Sequence, residues 1–538
     1  MSMQSEPSLT PEPSYDARCD VLVVGGGLQG AATARDLAGR GWSVILCEQG
    51  DLGQRSAAPA PQWMGGSLQD LAHGQLHSLR LALTEREALI DAAPHLVRLQ
   101  PSLLVHDPAL RPLWRMRMGM WMLDHLVPRQ LLPDIQAVDL GQEAPGWGLQ
   151  PSWAEGFVLP AAVGHEARLA VACAQDARDH GGHVLTRARA EQFMASEAGW
   201  QVLLAHRAPL EGRLTHHTRV LARCVVNAAG GEHEAVQHRL QEALGQAPAT
   251  SAARSGWVRQ VHALVPAIGQ AGRALVLQGV QGQWLEVLPA GEHALLIFRQ
   301  PVPWPEPSFP DSTEADKAAR VSADVQALLL MANRYLQRSL APSDVRWHRV
   351  VHHPVLAAPR RVAGRVRRVP GVDHAEGACP WVAVRGVPFT LWRLAAEEAG
   401  SLVGEALSDH RDPWTRHATL PGGRLADHIP VEVDPATDQD TFLQQLRHKH
   451  PWLDLGLARR WVQQFGSAVV VMLEGIGSRA DLGDEVLPSL HEHELQHLVR
   501  HEWARTADDV LWRRTGLGVH CTPEQVQHLQ AWMARAQG

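Results

Sequence analysis

The chain has 538 residues, 45% of them apolar and 20% charged, with a formal net charge of −7 at pH 7. That length is too great for one simple core and suits two or three packed units, while the composition excludes wholesale disorder. The acidic balance excludes a global basic field for nucleic acid, and with two lysines (Lys317, Lys449) and two tyrosines (Tyr15, Tyr335), Lys or Tyr catalysis has few places to sit.

In chain order, the polar, proline-bearing residues 1–17 predict a disordered leader unlike a signal peptide. A strand, glycine turn and helix follow over residues 19–50. Helical patterns run to about Leu132, then short strands and helices to 380, then an amphipathic helix over 390–407. Residues 18–408 are read as one domain. The Pro-, Asp- and Gly-rich stretch 409–440 predicts a linker, and the helical spacing over 441–538 an all-α domain. No stretch reaches 18 consecutive apolar residues, so no membrane span is expected. The six cysteines form no C-x-x-C pair, so neither a zinc cluster nor a disulfide framework is indicated.

The main chemical signal lies in residues 19–48. Val21-Leu22-Val23-Val24 reads as a buried strand and runs directly into Gly25-Gly26-Gly27-Leu28-Gln29-Gly30, which contains G-x-G-x-x-G. Gly25 permits the tight turn, Gly27 lets backbone approach a pyrophosphate, and Gly30 lets the helix pack on the strand. The helix N-terminus faces phosphate charge. Val44-Ile45-Leu46-Cys47 forms the second strand and ends on Glu48, placed to accept from ribose hydroxyls. Two later segments favour FAD over NAD. Val225-Val226-Asn227-Ala228-Ala229-Gly230 is an apolar strand ending in small residues, suited to close backbone approach at Ala229 and Gly230. Trp381-Val382-Ala383-Val384-Arg385-Gly386 leads to a helix starting near Thr390, whose N-terminus would stabilise negative charge on reduced flavin.

Three further patterns carry two readings each. Residues 110–126 interleave Trp114, Met116, Met118, Met120, Trp121 and Met122 with Arg111, Arg115 and Arg117, which suits core packing or an anionic membrane surface. The cluster Arg360, Arg361, Arg365, Arg367 and Arg368 reads as a solvated hairpin or a phosphate site. His493-Glu494-Leu495-Gln496-His497 satisfies H-E-x-x-H, but among 30 histidines a solvated helix face is favoured and no metal site is expected.

These residues together resemble the FAD-dependent, membrane-associated glycerol-3-phosphate dehydrogenases. The G-G-G-x-x-G-A-x-x-A-R-D run stands at residues 25–36, and Ala82-Leu83-Thr84-Glu85-Arg86-Glu87, Ala93-Pro94-His95, Leu110-Arg111-Pro112 and Leu123-Asp124-His125-Leu126 match early helices of that family. Leu420-Pro421-Gly422-Gly423, Ala480-Asp481-Leu482-Gly483, Ala507-Asp508-Asp509 and Leu511-Trp512-Arg513-Arg514-Thr515 match its C-terminal domain. The resemblance spans nearly the whole chain. It implies an α/β fold, with an FAD-binding Rossmann-like domain interleaved with a mixed-sheet substrate domain, and an all-α C-terminal domain. The implied reaction takes hydride from C2 of glycerol 3-phosphate, or another alcohol, to FAD. A quinone or other acceptor then receives the electrons. A cytoplasmic protein, peripheral on the inner face of the cell membrane, is implied, and a homodimer is compatible with it.

The substrate-side motifs depart from the family. Its H-G-G-L-R-Y reads Gly65-Gly66-Ser67-Leu68-Gln69-Asp70, and its serine- and lysine-bearing segment reads Ala57-Ala58-Pro59-Ala60-Pro61-Gln62. G-V-R-P reads Val351-His352-His353-Pro354, G-T-T-D reads Ile297-Phe298-Arg299-Gln300, and G-G-K-L-T-T-Y reads Gly386-Val387-Pro388-Phe389-Thr390-Leu391-Trp392. A bound phosphate would lose several charge-assisted contacts of ~1.5–3 kcal/mol each. His352, His353, Arg299 and Arg385 are the residues that could rebuild a site, with His353 the candidate catalytic residue. The competing reading is an inactive FAD-binding paralogue serving as a scaffold.

Overall fold

The computed structural model describes residues 15–54, 61–64, 76–128, 131–246, 255–270, 272–302, 314–356, 372–375, 377–429 and 435–537. Val21, Leu22 and Val23 are fully buried, as a strand covered on both faces requires. They belong to Ala17–Val24, which pairs in parallel with Val44–Glu48 on one side and Leu214–Asn227 on the other. The sheet runs in the order Val372–Ala375, Trp381–Val384, Leu214–Asn227, Ala17–Val24, Val44–Glu48, His183–Thr186. Helices Leu28–Gly39, Glu166–Asp179 and Trp392–Leu407 share one apolar core on this sheet. The hairpin Ala188–Ser196/Gly199–Arg207 and helix His233–Ala243 form a second core with the other face. Ordered structure begins earlier than the leader predicts: the Asp16 backbone N–H already donates to Arg219 O at 3.0 Å.

The second sheet takes strands from between those of the first, which is the interleaving that the family resemblance implies. Its order is Trp347–Leu356, Ser255–Pro266, His293–Val302, Trp284–Ala290, Ala274–Gln278, Val97–Val105, Glu155–Gly164, Gln62–Trp63. Val97–Val105 was expected to be helical; it is a strand because Glu155–Gly164 and Ala274–Gln278 supply its ladder partners. Helix Glu314–Asn333 covers one face through Leu328, Leu329 and Ala332 against Val261, Ala263 and Leu296. The opposite face carries polar side chains, described below.

The C-terminal unit has its own core, including Trp461, Val469, Leu495, Val510 and Met533. It is helical as expected, with one added two-stranded ribbon, Glu485–Leu487 and Leu490–His491. The stretch 409–429 is no free tether. Trp42 Nε1 donates to Asp409 Oδ2 at 3.1 Å, Trp414 Nε1 donates to Asp36 O at 3.1 Å, and Thr415 is buried. The first helix of the unit begins at Pro435, before the expected boundary. Residues 1–14, 57–60 and 65–70 and the 360–368 arginine cluster lie outside the described residues. Among the described residues, no helix is long and apolar enough to cross a membrane.

Candidate cofactor and substrate site

The glycine turn is fixed by contacts that exclude a Cβ. Gly25 sits at φ +111°, and a Cβ on Gly30 would stand 1.8 Å from the Gly25 carbonyl oxygen. Gly27 differs: its backbone is ordinary (φ −70°, ψ 177°), and nothing lies within 4 Å of where its Cβ would be. That open side, at the N-terminus of Leu28–Gly39, is where a pyrophosphate would approach. Glu48 ties the turn to its own loop. Its Oε2 accepts from Gly26 N–H at 2.6 Å and its Oε1 from Gly50 N–H at 2.8 Å.

A cleft opens beside this turn, lined by Gly25, Cys47, Glu48, Ala188, Arg189, Ala229 and Arg239. Ala229 leads into Gly230 at φ +54°, so the strand Leu214–Asn227 ends as expected in small residues at the cleft. The Cys47 thiol is pushed far up by burial and stays neutral. His233, at the start of its helix, is lowered to about 4 by burial and the nearby Arg385, so it is neutral too.

Gly386, at φ +57°, and Pro388 lead into a short 3-10 turn, Phe389–Leu391, before helix Trp392–Leu407. Pro388 caps this turn where the family places a lysine. Thr390 is fully buried, yet its Oγ1 has no hydrogen-bond partner; Gln29 Oε1, beside the glycine turn, is likewise buried and unpartnered. Orphaned buried polar atoms are rare and call for a partner. With Gly27 open to the solvent side, these groups fit FAD. Gly25, Glu48 and Ala229 line one cleft; Gly26, Gly27 and Gly30 belong to the turn and helix start beside it, Gly230 follows Ala229, and Gly386 and Thr390 lie at a separate helix start.

The other face of the second sheet holds polar residues beside a buried apolar cluster that includes Leu264, Leu288 and Ile297. His262 and Glu286 are buried there, His262 Nε2 lies 3.2 Å from Gln260 Oε1, and Arg299 Nε lies 3.0 Å from Glu286 Oε1. Burial raises the Glu286 carboxyl, against the pull of Arg299. Arg385 instead lies 3.9 Å from Asp373, so Arg299 and Arg385 pair with different carboxylates. His353 pairs in register with Val258 on this sheet, but the side chains of His352 and His353 lie outside the described residues.

The H-E-x-x-H segment is not a solvated face. Glu494 is fully buried and accepts from Arg460 Nη2 at 2.6 Å and Trp461 Nε1 at 2.8 Å, because the facing helix Leu455–Phe465 presents both donors. His493 Nε2 lies 2.7 Å from Met472 O, and the His497 ring meets Phe465 edge-on. Among the described residues no group of three or more ligands could hold a metal. Sequence reading missed a buried charge cluster in which Asp51 receives Arg513 and Arg514 from the far end of the chain. The Arg513-Arg514 pair stands in a motif already singled out, but its partner is not readable from spacing.

Residues 20–381 match the family described as FAD dependent oxidoreductase, and residues 414–536 match the C-terminal domain of alpha-glycerophosphate oxidase. The chain is 30% identical to a glycerol-3-phosphate dehydrogenase of Pseudomonas aeruginosa, over 97% of this chain and 96% of that one. It is 30% identical to a D-erythritol 1-phosphate dehydrogenase of Brucella abortus, over 96% and 98% respectively. The structure of a glycerol-3-phosphate dehydrogenase from Bacillus halodurans complexed with FAD matches the fold with a TM-score of 0.66 at 20% identity, covering 97% of this chain and 91% of that chain.

Proposed function

The chain belongs to the FAD-dependent glycerol-3-phosphate dehydrogenase family, and from that premise we propose that it oxidises a small polyol phosphate or related alcohol and delivers the electrons to a quinone at a membrane surface. It is an FAD-dependent oxidoreductase. The observation that carries the reading is the cofactor cradle: an open Gly27 beside a helix N-terminus and the orphaned hydroxyl of Thr390 at a helix start. Bound FAD would supply the hydride acceptor.

The chain's own residues do the rest. Gly25, Gly26, Gly27 and Gly30 with the helix N-terminus hold the pyrophosphate, Glu48 the ribose, and Ala229 and Gly230 let backbone approach the cofactor. Gly386 and Thr390 place the N-terminus of Trp392–Leu407 to favour negative charge. The buried Gln260, His262 and Glu286, with the half-buried Arg299, supply a polar wall for a hydroxylated substrate. His353, on the strand beside Ser255–Pro266, is the candidate base for the substrate hydroxyl proton. A substrate other than glycerol 3-phosphate suits the departures at Gln69, His353 and Pro388, and one 30% identical relative is named for D-erythritol 1-phosphate.

Exposed Trp114, Met118 and Trp121, with Arg115 and Arg117 on the same helix, support contact with an anionic membrane from the cytoplasmic side. Anaerobic titration of the flavin-loaded protein tests the substrate reading. Bleaching of the flavin absorption by one of a panel of polyol phosphates and unphosphorylated polyols is the expected result. Retained FAD that no member of either panel reduces would overturn it.

A further inference from the structure

Asp51 lies three residues past Glu48 and is 1% exposed. Burying a carboxylate there costs free energy unless charged donors meet it, and both donors come from the C-terminal unit. Arg514 grips it through two bonds, Nη1 to Oδ2 at 2.8 Å and Nη2 to Oδ1 at 2.7 Å, and Arg513 Nε donates to Oδ2 at 2.5 Å. Arg514 Nη2 also donates to Glu502 O at 2.6 Å, which anchors it within its own unit. Both arginines sit on a π-helical turn, Asp509–Arg514, a form that recurs at functional positions.

A second strut reaches the other wall of the same cleft. Arg187 takes a left-handed backbone, φ +56°, which is uncommon outside glycine. Its N–H donates to Gly50 O at 2.9 Å, and its Nη2 donates to Asp509 Oδ2 at 2.5 Å. The next residues, Ala188, Arg189 and Ala190, line the cleft, as do Glu48 and Gln49 just before Asp51. Thus the C-terminal unit grips two of the chain segments that line the cleft, one of them bearing Glu48, the residue proposed above to hold the ribose.

We propose that Asp51, Arg187, Asp509, Arg513 and Arg514 form a latch that couples docking of the C-terminal unit to FAD binding, acting as positioning residues that never touch the cofactor. The inference rests on the FAD reading of the cleft. Coupling between two sites is reciprocal. The latch therefore holds the cleft ready for FAD, and FAD in turn tightens the C-terminal turn.

Arg168 supplies the comparison. It also crosses to the C-terminal unit, with Nη2 donating to Glu502 Oε1 at 2.8 Å, but from helix Glu166–Asp179, which does not line the cleft. Full-length apoprotein is titrated with FAD by flavin fluorescence for wild type, Arg514→Gln and Arg168→Gln. Arg514→Gln is expected to weaken FAD binding about tenfold or more, with Arg168→Gln within about threefold of wild type. In parallel, hydrogen exchange of the 509–515 amides in wild type is expected to slow when FAD is added. Wild-type-like affinity in Arg514→Gln, an equal loss in Arg168→Gln, or exchange at 509–515 indifferent to FAD would each overturn the latch. Should Arg514→Gln fail to fold, the wild-type exchange measurement decides alone. A wild-type chain that takes up no FAD refutes the cofactor reading along with the latch, whereas normal FAD uptake with no effect at Arg514 refutes only the latch.

Discussion

At the scale of single residues, two glycines of one motif face opposite constraints. Gly30 is held by the fold itself, since a Cβ there would fall 1.8 Å from the Gly25 carbonyl, a backbone atom that cannot swing away. Gly27 meets no neighbour within 4 Å and has a backbone any residue can adopt. The fold alone therefore does not require glycine at 27; on the proposed reading, close approach of the cofactor does. Gly30→Ala is expected to destabilise the apoprotein by about 3 kcal/mol or more, or to prevent folding, as overpacking against backbone does. Gly27→Ala is expected to leave apoprotein stability within about 0.5 kcal/mol while weakening FAD binding. Denaturant melts of the two apoproteins beside FAD titrations separate these outcomes, and a Gly27→Ala chain that binds FAD as wild type does would remove the pyrophosphate from that side of the turn.

At the scale of elements, helix Leu113–His125 reconciles two readings that the sequence left open. Met116, Met120 and Leu123, at helical spacing, pack into a core with Leu79, Leu83 and Val276, while Trp114 and Trp121 are 62% and 61% exposed. Met120→Ala should cost about 2–5 kcal/mol in a denaturant melt. The double change Trp114→Ser, Trp121→Ser should leave stability nearly unchanged and reduce sedimentation with anionic vesicles; undiminished vesicle binding would free this helix from any membrane role. The contrast shows what was legible. Strand Ala17–Val24, the glycine turn, helix Leu28–Gly39 and strand Val44–Glu48 could be read because each is written in adjacent residues as an apolar run, a turn or a periodic face. The same holds for Ala229-Gly230 and for Gly386 to Thr390. Strand Val97–Val105 could not, since its identity depends on ladder partners far along the chain. The Pro-rich stretch after Asp409 looked like a tether because Trp414 and Thr415 find their partners on other elements. Glu494 looked solvated because spacing says nothing of Arg460 and Trp461 on the facing helix. The Asp51–Arg514 pair spans 463 residues, beyond any local pattern.

At the scale of the whole molecule, buried titratable groups set how stability responds to pH. Burial is the first cause for three histidines: His95 and His165 are lowered to about 3 with Arg168 nearby, and His233 to about 4. Each is neutral when folded and protonates near pH 6.5 when unfolded, so the unfolded chain binds more protons below that value. A group with a lowered folded value contributes stability above its unfolded value and loses it as pH falls. Asp36 works the other way: burial pushes it up to about 7 despite Arg40 at 2.8 Å. Its contribution is complete below the unfolded value and fades as pH rises through 7. Between pH 6 and pH 4.5, then, unfolding takes up up to three protons at the histidines and releases one at Asp36. These four groups alone give a net uptake near two protons, which lowers stability by roughly 3 kcal/mol per pH unit as the solution is acidified. Two of these histidines bear on how the units pack: His95 Nε2 lies 2.9 Å from where a Gly422 Cβ would stand, and His165 directly precedes the helix whose Arg168 pairs with Glu502. Thermal melts from pH 7 to pH 4.5 should therefore show a steep fall beginning near pH 6.5, well above the range where ordinary carboxylates titrate. Proton uptake on unfolding, measured by calorimetry in buffers of different ionisation enthalpy, should fall by about one proton in His165→Asn. A melting temperature that stays flat down to pH 5 would show that these histidines are solvated, and that the packing around His95 and His165 is looser than their burial requires.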